Sequence, residues 1–126
     1  MAAPNAMNEP SHEDIVKHVA QVLSDRGFSD ICANLPGSKV PPRVTRADKR
    51  QVCVPDLAAR GNKLMLMEVE TTSTLAESGP AERWPLLSQY ASRNNAEFIV
   101  IVPEPVVQSA TDKTRQLRVT AQVIGV

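Results

Sequence analysis

Between Gln51 and Thr72 the chain reads QVCVPDLAARGNKLMLMEVETT, and this stretch constrains the fold more than any other. Two mostly apolar runs flank Gly61-Asn62, which predicts a β-hairpin with strands over 51–59 and 64–72 and a turn at 60–63. Carboxylates interrupt both strands: Asp56 in the first, Glu68 and Glu70 near the end of the second. Side chains alternate along a strand, so Glu68 and Glu70 share a face with Leu64 and Leu66, and Asp56 shares one with Val52 and Val54. Whether the two acidic sets meet depends on register. A two-residue Gly61-Asn62 turn places Asp56 opposite Met67 and keeps them apart. A three-residue loop, Gly61-Asn62-Lys63, with glycine or asparagine in the left-handed region, pairs Arg60 with Leu64 and sets Asp56 opposite Glu68. A five-residue loop has the same parity, so a shared site requires a loop of odd length.

The rest of the chain fits around this hairpin. Ser11 is placed to cap a helix over 12–26, Asp14 gives an acidic version of the capping box, and Ile15, Val19 and Val22 follow helical spacing. Gly27 supplies a left-handed stop with Phe28 as its hydrophobic follower. A short strand is expected over 29–35, ended by Pro36-Gly37, and then a basic loop over 39–50 with at most one edge strand. Pro80 can begin a second helix, whose buried stripe is Trp84, Leu87 and Ala91, with Leu86 and Tyr90 beside it. EFIVIVP, 97–103, reads as a buried strand, followed by a helix near 107–116 and a last strand over 118–124. The order is α-β-β-β-α-β, then α-β.

At 126 residues the chain is one ordinary domain with room for a compact core, expected over 11–126 behind a frayed tail of residues 1–10. Aromatic residues are few, so that core must be Val, Ile, Leu, Met and Ala. Lys+Arg and Asp+Glu balance at 14 each, and no global charge excess points to a nucleic acid or a membrane. Cys32 and Cys53 form no disulfide framework and have no zinc-site spacing; they read as small core residues in a reducing cytoplasm. MAAPNAMNEP lacks the basic and apolar regions of a signal peptide, and no apolar run is long enough to span a bilayer.

Carboxylates gathered at a partly buried strand end repel one another and raise at least one pKa. Nothing close in sequence neutralises them, since Lys63 has the opposite parity from Glu68. A hard divalent cation removes the penalty, and carboxylate oxygens with water or substrate phosphate suit Mg²⁺, with the Val69 carbonyl as a further ligand. Such an ion activates water and stabilises charge on a phosphate. The plainer reading of Asp56 and Glu68 is a pair of solvent-facing acids at a strand end.

The pattern resembles the PD-(D/E)xK nuclease superfamily, whose members share a restriction-endonuclease-like α-β-β-β-α-β core with a mixed sheet flanked by helices. Pro55-Asp56 matches the PD element, eleven residues separate Asp56 from Glu68, and Glu68-Val69-Glu70 stands where the family has (D/E)xK. The element order matches from about Ser11 to Val102. The resemblance implies a metal-dependent phosphodiesterase, with Asp56 and Glu68 holding Mg²⁺ (or Mn²⁺) and Glu13 as the candidate for the acid that many members carry on the first helix. The departure is Glu70, which occupies the place of the lysine. Some members carry glutamate there, and a subgroup reads much like EVET at 68–71. Glu70 is then a general base or second metal ligand, or the mark of a site that binds without cutting.

Lys39, Arg43, Arg46, Lys49 and Arg50 are candidates to grip phosphates, or else form a solvated basic loop. Thr71 to Thr74 suit phosphate hydrogen bonds and β-propensity equally. His12 is a candidate to orient substrate or a plain polar residue at a helix start. Tyr90 reads as packing, and Gln89 as a weak site residue. The expectation is therefore a metal-dependent nuclease acting on DNA rather than RNA, with a homodimer presenting two sites. The alternatives are a non-catalytic nucleic-acid-binding or interaction module on the same fold, and a purely structural domain.

Overall fold

The computed structural model describes residues 9–46 and 51–126. Helix α1 (His12–Asp25) starts where the Ser11 hydroxyl accepts the Asp14 N–H at 3.1 Å. It stops where Gly27 takes φ 81°, with the Gly27 N–H on Ser24 O and the Phe28 N–H on Leu23 O, both at 3.1 Å. Strand β1 (Ser29–Ala33) follows, then β2 (Val44–Arg46), β3 (Gln51–Cys53), β4 (Leu57–Arg60) and β5 (Leu64–Val69). The short helix α2 (Thr72–Leu75) and the longer α3 (Gly79–Arg93) lead into β6 (Glu97–Val102). A 3-10 turn (Glu104–Val106), α4 (Val107–Leu117) and β7 (Gln122–Gly125) complete the order.

The main sheet is mixed and five-stranded, in the order β1-β4-β5-β6-β7. β4 runs antiparallel to both its neighbours, β1 and β5, whereas β5, β6 and β7 are parallel to one another. β2 and β3 form a separate antiparallel pair. The chain is thus an α/β domain with a mixed sheet flanked by helices.

The two-residue period of the strands sorts the core onto two faces. Leu57, Ala59, Met65, Met67, Val69, Ile99 and Ile101 pack under Ile15, Val16, Val19 and Leu23 of α1. Ala58, Leu66, Phe98, Val100 and Val102 face Trp84, Leu87 and Ala91 of α3 and Ala110 of α4. Trp84 meets Phe98 edge-on, with centroids 6.5 Å apart. Among the described residues no helix is long and apolar enough to cross a membrane.

Several boundaries differ from the sequence expectation. The strand expected over 51–59 is two strands: β3 leaves to pair with β2, and β4 joins the main sheet. Pro55 lies at the break, and a residue without an N–H cannot continue a ladder. The strand expected over 64–72 ends at Val69, because Thr71 caps α2: its hydroxyl accepts the Thr74 N–H at 3.2 Å and the Thr74 hydroxyl accepts the Thr71 N–H at 2.8 Å. That reciprocal bonding, which threonine completes here, defeats the β-propensity of the same residues. The last strand starts only at Gln122, after Arg118 closes α4 in the left-handed region at φ 54°. Of the tail expected over 1–10, residues 1–8 lie outside the described residues. Glu9 is tied down, its carboxylate accepting the Thr72 N–H at 2.9 Å.

The β4–β5 register pairs Leu57 with Met67, Ala58 with Leu66, Ala59 with Met65 and Arg60 with Leu64, so the loop is Gly61-Asn62-Lys63 and its length is odd. Its glycine is there for a different reason than expected, since neither Gly61 nor Asn62 takes a positive φ. A Cβ on Gly61 would lie 2.8 Å from Cε1 of Phe28. Gly61→Ala should therefore destabilise the domain by about 1 kcal/mol, the cost of shifting a packed ring. Gly79→Ala, at a helix start with nothing within 4 Å of its Cβ, should be neutral or mildly stabilising. Urea midpoints of the two variants check the contrast.

Candidate functional site

The hairpin ladder ends at Leu57 and Met67, and the next residues on the two strands, Asp56 and Glu68, stand abreast. From here side chains replace the backbone bonds that Pro55 interrupts. The Asp56 N–H donates to Glu68 Oε2 at 3.0 Å, and the Val69 N–H donates to Asp56 Oδ2 at 2.8 Å. Each acid therefore satisfies a backbone donor of the opposite strand. Val69, whose carbonyl was the further ligand expected for a metal, gives its N–H to Asp56.

Glu68 points to the α3 face, and only 1% of it is exposed. Its counter-ion is Arg83, from the second turn of α3. Arg83 Nε donates to Oε1 at 2.6 Å and Nη2 donates to Oε2 at 3.1 Å. Nη2 also donates to the Val54 carbonyl at 2.8 Å, on the segment that β3 leaves behind. The two-pronged contact suits the planar guanidinium, which matches a carboxylate with one nitrogen per oxygen. Nothing close in sequence was expected to neutralise the acids, and the counter-ion comes from farther along the chain. The cation is 15 residues away in the chain and adjacent in the fold. Burial pushes the Glu68 carboxyl up to about 7, against the pull of Arg83 and the Asp56 N–H. Arg83 itself is held above its ordinary value by Glu68, so it stays charged at every relevant pH.

Glu70 shares the Glu68 face and is buried too. Its Oε2 accepts the Trp84 indole N–H at 3.3 Å. Burial raises its pKa, while the Thr74 hydroxyl and Trp84 pull the other way. The acids influence one another, because the Asp56 charge raises both Glu68 and Glu70. Cys53 lies close by, its thiol pushed up to about 12 mainly by burial and so inert as a nucleophile.

From the opposite face α1 contributes His12, not Glu13. His12 Nε2 lies 3.1 Å from Asp56 Oδ2. The hydrogen bond to Asp56 raises its pKa against the effect of burial, and the charges of Asp56, Glu70 and Glu68 raise it further. Glu13 is 55% exposed and pairs with Lys17 one turn along the helix at 3.5 Å. Its place in the first turn is explained by the helix dipole. Lys39 and Arg43 are exposed on the connection from β1 to β2. Arg46 lies in β2, while Lys49 and Arg50 fall outside the described residues.

As placed, both Glu68 oxygens and Asp56 Oδ2, the oxygens expected to hold Mg²⁺ or Mn²⁺, are engaged by protein donors. Glu68 receives two N–H groups from Arg83 and one from Asp56, and Asp56 Oδ2 is shared by Val69 and His12. Among the described residues no group of three or more His, Cys, Asp or Glu is arranged to hold a metal ion. What the corner can do chemically is hold two ion pairs, Arg83–Glu68 and His12–Asp56, whose cations are partly open to solvent, at 37% and 43%. Arg83 and His12 are the residues that sequence reasoning underrated. Arg83 did leave a signal: Leu86, Leu87 and Tyr90 lie three, four and seven residues on, so the charge sits on the apolar stripe of its helix and needs a partner. Comparison of the chain with family models, curated proteins and solved structures finds no match.

The shifts set a pH dependence. Glu68 rises from an ordinary 4.5 to about 7, Glu70 rises from 4.5, and His12 rises from 6.5. In each case the folded state binds the proton more tightly than the unfolded chain. The stabilisation is therefore complete below the ordinary value and lost as pH climbs through the folded one. Melting temperature should fall as pH rises from 4.5 through about 7, and fall further above 6.5 as His12 loses its proton. Glu68→Gln should flatten the lower part of the profile and His12→Asn the upper part, as read by thermal unfolding across a pH series.

Proposed function

We propose that the chain is a PD-(D/E)xK-type domain, with a restriction-endonuclease-like core, that binds nucleic acid and does not cut it. The observation that supports this is the double contact of Arg83 with Glu68, at 2.6 and 3.1 Å. It engages the acid that a nuclease of this type needs for its metal. The substitution of Glu70 for the motif lysine agrees, since Glu70 is turned toward Trp84 and Thr74 rather than toward a place where water could be activated. Two partly exposed cations, Arg83 and His12, and the exposed Lys39 and Arg43 give phosphates positive groups to meet. DNA stays ahead of RNA as the ligand by the resemblance alone.

A second reading has one observation in its favour. Asp56 and Glu68 stand side by side, the Asp56 N–H reaching Glu68 Oε2 at 3.0 Å, and Glu70 is buried on the same face, which supports a metal-dependent nuclease. In that reading Arg83 supplies the positive charge missing at position 70.

Fluorescence anisotropy and gel analysis with labelled duplex DNA, single-stranded DNA and RNA, in EDTA or in Mg²⁺, separate the two. The proposal expects salt-sensitive binding that does not need Mg²⁺, no shortened product, and weaker binding by Lys39→Ala and Arg43→Ala. Mg²⁺-dependent product that disappears in Asp56→Ala and Glu68→Ala would establish the second reading. No binding in either condition would leave a purely structural domain.

A further inference from the structure

On the α1 face of the main sheet the described residues supply one helix, and it lies over β1, β4 and β5. Toward β7 that face is open, and a slot of about 760 Å³ runs beside the helix. Ile15, Val19 and Val22 of α1 form one wall, Ile99 and Ile101 of β6 the floor, and Ile124 of β7 the far wall. The floor is nearly closed to water, with Ile99 at 5% and Ile101 at 3% exposure, whereas Ile124 and Val126 stand out at 38% and 48%. They are two of the four large apolar side chains exposed among the described residues. An apolar slot and an apolar ridge thus lie side by side along the strands.

The β7 edge is also unguarded. A free strand edge presents unpaired N–H and C=O groups, and charge, proline or a bulge ordinarily blunts it. The opposite edge has such a device: the β1 register shifts between Ser29 and Cys32, and Asp30 takes φ 50°. In β7 the residues are Gln-Val-Ile-Gly, with no charge, no proline and an unbroken register against β6. We propose that a second copy of this chain covers both features, in a two-fold dimer in which Ile124 and Val126 of each copy enter the slot of the other.

Shape, charge and size favour a second copy. A helix stands about 10 Å above its sheet, and two sheets pack face to face at about the same distance, so the step from α1 down to β7 fits its own copy. A two-fold axis parallel to the strands seats both ridges at once. It also brings each α1 against the partner's β7 edge, where Asp14 and His18 on the slot rim meet the unpaired backbone groups. A two-fold axis across the strands drives α1 into the partner's sheet instead. The first axis keeps height along the strands, so Arg26, at the end of the slot where β6 starts, meets the partner's Glu97. Neither residue has an ion-pair partner in its own chain among the described residues. The slot is lined by 18 residues, close to the roughly 20 to 30 a side of a stable interface. The same axis opens both corners that hold Arg83 and His12 at one end of the dimer, roughly 15 to 20 Å apart, although the inference does not rest on the function proposed above.

Sedimentation velocity of the whole chain from about 1 to 100 µM, without nucleic acid or metal, tests the proposal. Wild type should be a dimer over most of that range. Ile124→Asp should raise the dissociation constant at least about tenfold. Val52→Asp, at an exposed apolar side chain of β3, should leave it unchanged. Arg26→Glu and Glu97→Arg should each weaken the dimer about fivefold, and the two combined should bring it back toward wild type, a recovery that damage to the fold cannot produce. A wild type that stays monomeric up to about 100 µM overturns the inference. So does a dimer that Ile124→Asp leaves intact, or a charge swap with no recovery. Dimerisation only after deletion of residues 1–8 overturns it as well, in favour of that segment as the occupant. The function proposed above fails separately, through metal-dependent product or absence of nucleic-acid binding, whatever the sedimentation shows.

Discussion

The Arg83–Glu68 pair is the constraint on which the rest of this corner depends. It joins three pieces that backbone hydrogen bonding leaves apart: the end of β5, the second turn of α3, and the Val54–Asp56 break between β3 and β4. A carboxylate buried to this degree is tolerable only with a cation and full hydrogen bonding, and Glu68 has both. Fixing Arg83 also fixes the face that α3 turns to the sheet. Trp84, the next residue, then lies fully buried over Phe98 and reaches Glu70 with its indole N–H. Apolar packing supplies most of the energy of this layer, while the ion pair selects one orientation of the helix.

At the end of the hairpin the acids do work that the backbone cannot. Pro55 removes a ladder donor and turns β3 out of the sheet. Asp56 and Glu68 then exchange bonds with the opposite strand through their carboxylates. His12 ties the start of α1 to the same point from the other face. The groups on which the proposed ligand binding draws thus also hold the fold together. Burial lifts the proton affinities of Glu68 and Glu70, and the fold sets Arg83 and His12 against the acids of this corner.

Much of this was legible in the sequence. The mixed α/β class and most of the element order follow from apolar period and turn residues, whereas the loop length at Gly61 stayed open and odd length was a condition for a shared site. Two carboxylates meeting at positions 56 and 68 followed only for an odd loop, which the register supplies. Their partner does not, since only the folded sheet decides which helix covers Glu68. Arg83 on an apolar stripe signalled the need for a partner without naming it. Glu13 was misread for a related reason: His12 and Glu13 are neighbours in sequence, and a 100° step around the helix decides which one faces the hairpin. Thr71 and Thr72 were misread as strand because β-branched residues favour strands on average, while here the Thr71 and Thr74 hydroxyls close a helix cap.

The central claim is that Arg83 and Glu68 are energetically one unit. A double-mutant cycle measures this most directly, with equilibrium urea unfolding of wild type, Arg83→Met, Glu68→Gln and the double variant at neutral pH. The account predicts a coupling of roughly 1 to 3 kcal/mol, with Arg83→Met alone the least stable because its buried Glu68 must take up a proton to fold, and the double variant more stable than it. Additive effects, with the double variant destabilised by the sum of the two single changes, would contradict it.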